Sequence, residues 1–249
     1  MKLFNSIKKR IDRLSQVKFD KGSGFYRHKR FGQYVYIRHP KHLAKESDIL
    51  WVCENLFFKH YLPKDDDVVV DLGAGYGDEA LYVAARSKNV TYIGVEAQPV
   101  IFECLANTFR HLGDKFIASP YVITDAEFVK FVSHFSYAAV GEIPEGYIDV
   151  PTIKWPDFLS RYNIDRIDLF KMNIEGAEKE ILQGIGDFSF IKRFIISCHD
   201  FRANNGDGEY FRTKESVIST LESNGYVIKP FNYGIGFADD WVYAERKDL

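Results

Sequence analysis

Residues 68–78 have the sequence Val68-Val-Val-Asp-Leu-Gly-Ala-Gly-Tyr-Gly-Asp78. The β-branched residues at its start predict a strand that is buried on both faces and followed at once by Asp71. The glycines at 73, 75 and 77 let the backbone turn sharply and approach a ligand closely. A helix that begins near Gly77 would direct its free N–H groups to the same place. This stretch therefore predicts a nucleotide-binding corner of an α/β protein.

The spacing of the glycines indicates which nucleotide is bound. A dinucleotide fingerprint needs its third glycine at position 78, where this chain has Asp78. A carboxylate there would repel a pyrophosphate, whereas carboxylates suit a cofactor with an ammonium, a sulfonium and a ribose diol. The stretch resembles the first motif of doubly wound methyltransferases, and we expect S-adenosylmethionine as the cofactor. The residues predicted to contact it here are Asp71, Gly73, Ala74, Gly75, Tyr76 and Gly77.

Two further acidic residues follow strands of the predicted βαβα alternation. Glu96 ends a second strand, where an acid can hydrogen-bond a ribose diol, and Ala97 follows it. Glu96 could instead cap a helix that starts near Pro99. Asp125 follows a third strand and could contact the adenine amino group, although a surface turn explains it almost as well.

A second stretch with chemical character runs from Ile167 to Glu178. It contains Lys-Met-Asn-Ile-Glu-Gly-Ala-Glu and predicts a buried strand that turns into a helix. The fourth strand of a doubly wound sheet lies beside the first, so its end faces the cofactor crevice. A fifth strand, from Phe194, ends in His199 and Asp200 at the same edge.

Together, the Asp-Leu-Gly-Ala-Gly-x-Gly motif, Glu96 with Pro99, the Ile-Glu-Gly-Ala-Glu segment and the histidine after the fifth strand resemble the FkbM family of methyltransferases. The resemblance covers roughly residues 66–247. It implies an S-adenosylmethionine-dependent enzyme that O-methylates sugars, polyketides or related natural products. Asn173 is also expected to contact the cofactor. It is a departure from the family, which usually has Asp there, and an amide is a weaker cation ligand.

O-methylation needs a base that takes the proton of the hydroxyl. His199 is the candidate, with Asp200 or Glu175 to orient it, although a histidine at a strand end can also be purely structural. Glu175 could act as a base, orient the acceptor or cap the following helix. Asn173, Glu175, His199 and Asp200 could also surround Mg²⁺ or Mn²⁺, but no spacing demands a metal. The loop Phe201–Tyr210 is expected to be a mobile cover over the acceptor.

Composition limits the class of protein. The chain has 249 residues and a formal net charge of −2, which argues against DNA binding and makes RNA an unfavoured partner. Its three cysteines are widely spaced, which is typical of a reducing cytoplasm. We expect a small-molecule or glycan acceptor. The alternatives are an N- or RNA-methyltransferase of the same fold, or a scaffold that binds the cofactor without catalysis.

The N-terminal part is predicted to be an extension, residues 1–62, before a methyltransferase domain, residues 63–249. Residues 2–18 predict a basic amphipathic helix, packed on the domain, on a second subunit of a homo-oligomer, or on an anionic membrane surface. Residues Gly24–His39 predict a β-hairpin. Its aromatic and basic residues could bind an anionic or sugar-bearing substrate or the bases of RNA, although ordinary half-buried strands have the same composition. The predicted fold class is α/β, a doubly wound Rossmann-like sheet of seven mostly parallel strands with a terminal antiparallel hairpin.

Overall fold

A computed structural model describes residues 16–125, 129–132 and 147–249. Its first element is an antiparallel sheet of β1 (Lys18–Asp20), β2 (Phe25–Arg30) and β3 (Gln33–Ile37). Strands β2 and β3 are the predicted hairpin, closed by a two-residue turn in which Phe31 and Gly32 both have positive φ. β1 is an additional strand. The helix predicted for residues 2–18 lies outside the described residues except at its end, where Lys18 begins β1.

The chain then alternates between helices and strands. The first helix, α1 (Glu46–Val52), continues into a π-helical turn at Cys53–Phe57, and short 3₁₀ turns lie at Pro40–His42 and Glu209–Phe211. The elements are α1 (Glu46–Val52), β4 (Val68–Leu72), α2 (Asp78–Ala84), β5 (Thr91–Val95), α3 (Pro99–Arg110), β6 (Phe116–Ser119), β7 (Val122–Ile123), β8 (Val129–Val132), β9 (Tyr147–Val150), β10 (Thr152–Ile153), α4 (Trp155–Arg161), β11 (Leu169–Met172), α5 (Glu178–Gly184), β12 (Arg193–Ser197), α6 (Asp200–Asn204), α7 (Lys214–Ser223), β13 (Tyr226–Pro230), α8 (Gly236–Asp239) and β14 (Trp241–Arg246).

The central sheet has seven strands in the order β13-β14-β12-β11-β4-β5-β6. Strands β12, β11, β4, β5 and β6 run parallel, whereas β14 is antiparallel to both β12 and β13. The predicted fold class, with its terminal antiparallel hairpin, is confirmed. The strand order reverses at β4, which has β5 on one side and β11 on the other. Ligands of such sheets bind beyond the carboxyl ends of the strands at this point.

Apolar side chains cover both faces of this sheet. Val70, Leu72 and Phe170 belong to the hydrophobic cluster on one face, and Val69 and Leu169 belong to the cluster on the other. Alternate residues of β4 and β11 therefore point to opposite layers, and these strands are mostly apolar because neither face meets water. Asp71 and Lys171 are the charged residues within them. Within the described ranges, no helix has the length and apolar character needed to cross a membrane.

The N-terminal sheet packs against α2 and α3, the helices that follow β4 and β5. Val35 and Ile37 of β3 share a hydrophobic cluster with Leu81 of α2. The backbone N–H of Tyr36 donates to the hydroxyl of Thr108 in α3 over 3.0 Å. The division at residues 62 and 63 stays a prediction.

Three segments between the main elements either differ from the structure expected of them or lie partly or wholly outside the described residues. The segment expected to be a loop, Phe201–Tyr210, instead contains most of α6 and the start of a 3₁₀ turn. The sequence of residues 128–140 predicts sheet or an excursion, and that of residues 141–146 predicts a loop. Within the first of these stretches, β8 pairs with β9. The rest of that segment, and the loop predicted for residues 141–146, lie outside the described residues.

Candidate active site

The glycine loop between β4 and α2 is tightly packed at Gly73 and open at Gly75. Gly73, Gly75 and Gly77 have φ values of 78°, 55° and 89°. A Cβ atom on Gly73 would lie 2.1 Å from the backbone oxygen of Asn173, so only glycine allows the ends of β4 and β11 to approach this closely. A Cβ atom on Gly75 would meet nothing within 4 Å. The loop is therefore closed toward β11 and open at Gly75, where a ligand can approach the backbone.

Two other loop residues make contacts within the protein. The side chain of Ala74 is buried in the core, so any contact with a cofactor would involve its backbone. The hydroxyl of Tyr76 lies 2.7 Å from Nδ1 of His42, which follows β3. Burial raises the pKa of Tyr76 to about 12, so its phenol is neutral. Tyr76 thus connects the glycine loop to the N-terminal extension.

Glu96 lies beside this open side of the loop. Its Oε2 accepts a hydrogen bond of 3.1 Å from the backbone N–H of Gly75, and its Oε1 accepts one of 2.9 Å from that of Gln98. The cap of α3 is Gln98 itself, whose side chain accepts from Ile101 N–H, so Glu96 is not that cap. Burial raises the pKa of Glu96 to about 7. A ribose diol that donates to this carboxylate would favour its ionised form. Ala97, next in the chain, is half-buried.

Asp71 is buried beneath the loop. Lys171 Nζ donates to its Oδ1 over 2.6 Å, and the Tyr92 hydroxyl donates to its Oδ2 over 2.7 Å. Both oxygens thus have partners within the protein, and Asp71 can support the loop from below. Its predicted contact with the cofactor stays a prediction. Lys171 was not among the predicted site residues, although a charge in the middle of an apolar strand signals a buried ion pair.

Asp78 does not present a free negative charge to the crevice. Its carboxylate forms an ion pair with Arg30 of β2, whose side chain is almost completely buried. The same guanidinium donates to the backbone oxygen of Ala44 over 2.8 Å. The repulsion of a pyrophosphate that was expected from Asp78 is therefore compensated, and the argument against a dinucleotide depends on the missing third glycine.

His199 lies between two carboxylates just after β12. Its Nδ1 is 3.0 Å from Oε1 of Glu178, and its Nε2 is 3.5 Å from Oε1 of Glu175. Its side chain is only 4% exposed and that of Glu178 is 0% exposed. Burial alone would lower the pKa of His199, but the hydrogen bonds to Glu175 and Glu178 raise it to about 9. At neutral pH the ring is therefore an imidazolium.

Glu178 is the site residue that the sequence analysis missed. Besides His199, it accepts from the backbone N–H of Gly176 over 3.1 Å and from the hydroxyl of Thr213 over 3.2 Å. A signal was available, because Glu178 follows Glu175 by three residues across a glycine. Residues at that spacing around a turn can point to the same side.

Glu175 has a left-handed backbone, with φ of 58°, which is uncommon for a residue other than glycine. Arg202 Nη1 donates to its Oε2 over 2.7 Å. Burial would raise the pKa of Glu175, but its hydrogen bonds with His199 and Arg202 lower it. A Cβ atom on the next residue, Gly176, would lie 2.5 Å from the ring of Tyr210. The segment predicted as a cover therefore packs directly on this turn.

The remaining predicted residues lie at the edges of the site. Asp200 Oδ1 accepts from the backbone N–H groups of Thr213 and Lys214, at 2.9 and 3.0 Å, and so holds the start of α7. His199 therefore contacts Glu175 and Glu178, whereas the Asp200 carboxylate binds the start of α7. Asn173 is half-buried at the end of β11, and Asp125 is exposed after β7.

The donor set does not fit a divalent cation. The carboxylate of Glu175 is already occupied by Arg202 and by the imidazolium of His199, which are cations themselves. In the part of the chain that the structure describes, no group of three or more His, Cys, Asp or Glu residues is arranged to hold a metal ion. The metal site considered for Asn173, Glu175, His199 and Asp200 has no support from this geometry. S-adenosylmethionine fits better, because the loop is open at Gly75 and has the Glu96 carboxylate beside it.

Comparisons with known proteins agree with this fold. The fibrillarin/NOP5P complex is similar over 93% of this chain and 97% of that chain, with 16% identity and a TM-score of 0.50. Aeropyrum pernix fibrillarin, solved with natively bound S-adenosyl-L-methionine, is similar over 92% and 91%, with 14% identity and a TM-score of 0.45. Precorrin-6y C5,15-methyltransferase from Geobacter metallireducens is similar over 81% and 87%, with 12% identity and a TM-score of 0.43. At these identities the similarity concerns the fold alone.

Sequence comparison gives the family. No curated protein matches the chain. The family model described as the methyltransferase FkbM domain matches residues 71–228, which is more than half of the chain and includes the glycine loop, Glu175 and His199. The predicted family is thereby confirmed. The chain belongs to the FkbM family of S-adenosylmethionine-dependent methyltransferases.

Proposed function

We propose that this enzyme transfers the methyl group of S-adenosylmethionine to a hydroxyl of a sugar, glycan or secondary-metabolite acceptor. The observation that carries the proposal is the position of His199 and its two carboxylates relative to the glycine loop. Leu72, Met172 and Ile196 are neighbours across β4, β11 and β12, and each of these strands leads from there into the site. Cofactor loop and histidine therefore share one edge of the sheet, as in-line transfer between two bound partners requires.

The cofactor half of the proposed site uses the open backbone at Gly75 and the carboxylate of Glu96. Glu96 would accept hydrogen bonds from the ribose diol, and the N–H groups at the start of α2 would face the loop. Gly73 holds the loop against the end of β11, and Asp71 with Lys171 supports it from below. The half-buried side chain of Asn173 lies where the two halves of the site meet.

The acceptor half requires a base, and His199 is the proposed one. The contact between its Nε2 and Glu175 is long, at 3.5 Å, so an acceptor hydroxyl could take the place of that contact. Glu178 would keep the Nδ1 proton and fix the ring. The acceptor oxygen then forms a bond to the methyl carbon, the bond from that carbon to sulfur breaks, and Nε2 takes the hydroxyl proton. The products are a methyl ether and S-adenosylhomocysteine, and the proton is on Nε2 of His199.

This role requires His199 to lose the proton that its carboxylate partners stabilise. With a pKa of about 9, only a small fraction of the free enzyme has the neutral ring at pH 7. Turnover should therefore rise with pH until about 9. Glu175 is a weaker base, because its pKa is lowered, and its proposed role is to position the acceptor and Arg202.

A labelled-methyl transfer screen against glycans, sugars and small hydroxylated molecules tests the proposal. With an acceptor in hand, His199→Gln should abolish most turnover while its affinity for S-adenosylmethionine stays near that of the wild type. If His199→Gln keeps full turnover, or loses cofactor binding instead, the assignment of the base is wrong. Methylation confined to amines or to RNA would contradict the proposed acceptor. The net charge of −2 supports a small acceptor over a nucleic acid.

A further inference from the structure

A separate pocket of about 440 Å³ lies on the N-terminal sheet. Its lining includes four cationic side chains and one carboxylate: Lys18, Arg27, Lys29, Lys45 and Glu46. The pocket thus has an excess of three positive charges in a protein whose net charge is negative. None of the residues placed in the proposed active site lines it.

The four cations keep N–H donors for a ligand, while Arg27 is also hydrogen-bonded to Tyr36 and attracted by Asp20. Among the ion pairs of the described residues, none involves Lys18, Arg27, Lys29 or Lys45. The three lysines are exposed and form the rim. Arg27 lies 4.7 Å from the centre of the Tyr34 ring and Lys29 lies 5.7 Å from it, so both are held on the same aromatic surface.

Two buried polar atoms of the lining residues have no hydrogen-bond partner. They are Nε of Arg27 and Nδ1 of His28. The rest of the His28 ring is fixed by a hydrogen bond to the backbone of Gln16. Buried polar atoms are nearly always satisfied by protein, water or a ligand, so Nε of Arg27 is a donor that a polar ligand in the pocket can use.

From these observations we infer that the pocket binds an anion of the phosphate class. Arginine and lysine side chains at one site are the usual partners of phosphate oxygens, and Arg27 offers a donor that is already oriented. A volume of about 440 Å³ exceeds what a bare phosphate needs and lies within the range of small-molecule sites. The ligand is therefore a phosphate or diphosphate group carried on an organic moiety, either a soluble metabolite or the headgroup of an anionic lipid.

Calorimetric titration of the full chain with inorganic pyrophosphate, at low ionic strength, tests this inference. Saturating S-adenosylhomocysteine keeps the glycine loop occupied, so that pyrophosphate cannot bind there. We expect the double variant Lys29→Gln/Lys45→Gln to weaken pyrophosphate binding roughly tenfold or more, because each lost cation removes a charge-assisted contact. Both lysines are exposed, so the variant should fold. Lys88→Gln, an exposed lysine outside the pocket, is the matched control and should bind like the wild type.

The inference is overturned if pyrophosphate fails to bind at millimolar concentration, or if the double variant binds it as well as Lys88→Gln does. A second arm uses phosphatidylcholine vesicles with and without phosphatidic acid. Co-sedimentation that needs phosphatidic acid, is lost in the double variant and is competed by pyrophosphate identifies a lipid headgroup. Pyrophosphate binding without such co-sedimentation identifies a soluble ligand.

Discussion

Replacing Glu178 with Gln should destabilise the protein far more at low pH than at high pH. The pKa of His199 is raised from 6.5 to about 9, which corresponds to about 3 kcal/mol of net stabilisation of the imidazolium. Because the folded-state pKa is raised, this stabilisation is fully present below pH 6.5 and is lost as pH rises through about 9. Glu178 makes the shorter of the two contacts with His199, at 3.0 Å against 3.5 Å for Glu175.

We therefore expect Glu178→Gln to lower the free energy of unfolding by about 2 kcal/mol near pH 6, the size of a hydrogen bond to a charged group. Near pH 10 most of that difference should disappear. Urea denaturation of both proteins at the two pH values measures it. Glu180→Gln, an exposed residue on the same helix, is the matched control and should change little at either pH. An equal loss at both pH values, or a loss that grows with pH, would refute the ion-pair interpretation of His199.

Three further predictions concern the cofactor half of the site. Gly73→Ala should lower the free energy of unfolding by about 2–3 kcal/mol and abolish measurable cofactor binding, because its Cβ atom would lie 2.1 Å from a backbone oxygen. Gly75→Ala, whose Cβ atom would meet nothing within 4 Å, should lower the free energy of unfolding in denaturation by only about 1 kcal/mol through backbone strain. Because the pKa of Glu96 is about 7 and the ribose diol favours its ionised form, calorimetry should show affinity for S-adenosylmethionine rising as pH increases through that value. Glu96→Gln should remove this pH dependence. A flat wild-type profile would contradict the assignment of Glu96 to the ribose. Lys171→Met should lower the free energy of unfolding by about 3–5 kcal/mol, since it leaves Asp71 as a buried unpaired charge. Adding Asp71→Leu should recover part of that stability, and no recovery would show that loss of the ion pair is not the cause.

The fold could be predicted because its signals are local. Each buried parallel strand is a short run of apolar residues, and the order of strands and helices along the chain restricts the topology to a doubly wound sheet. The segment after His199 was harder to predict. Its glycines and asparagines indicate a loop, but Arg202 and Tyr210 pack it against the turn at Glu175, and that tertiary contact cannot be inferred from composition.

The candidate site was predicted only in part, because its pairings join distant residues. Asp71 and Lys171 are 100 positions apart, and nothing in either segment alone identifies the partner. Asp200 was expected to orient His199 because it is adjacent in sequence. The chain turns into α6 at that residue, however, and the carboxylate points to the start of α7. Glu178, one of the two partners of His199, comes from the turn after β11, which precedes β12 in the chain and lies beside it in the sheet. In that turn the left-handed residue Glu175 redirects the backbone.

Strand β14 also has consequences for how the chain folds. It comes after β13 in the chain, and it pairs with β12 on one side and β13 on the other. Until β14 is available, β12 has a free edge of buried apolar residues, which is a site for pairing with another chain. The β13–β14 hairpin can form early, since its two strands are close in sequence, and then dock through β14. We therefore expect docking of this hairpin to be the late step of folding, and destabilising changes in β14 to promote aggregation during refolding.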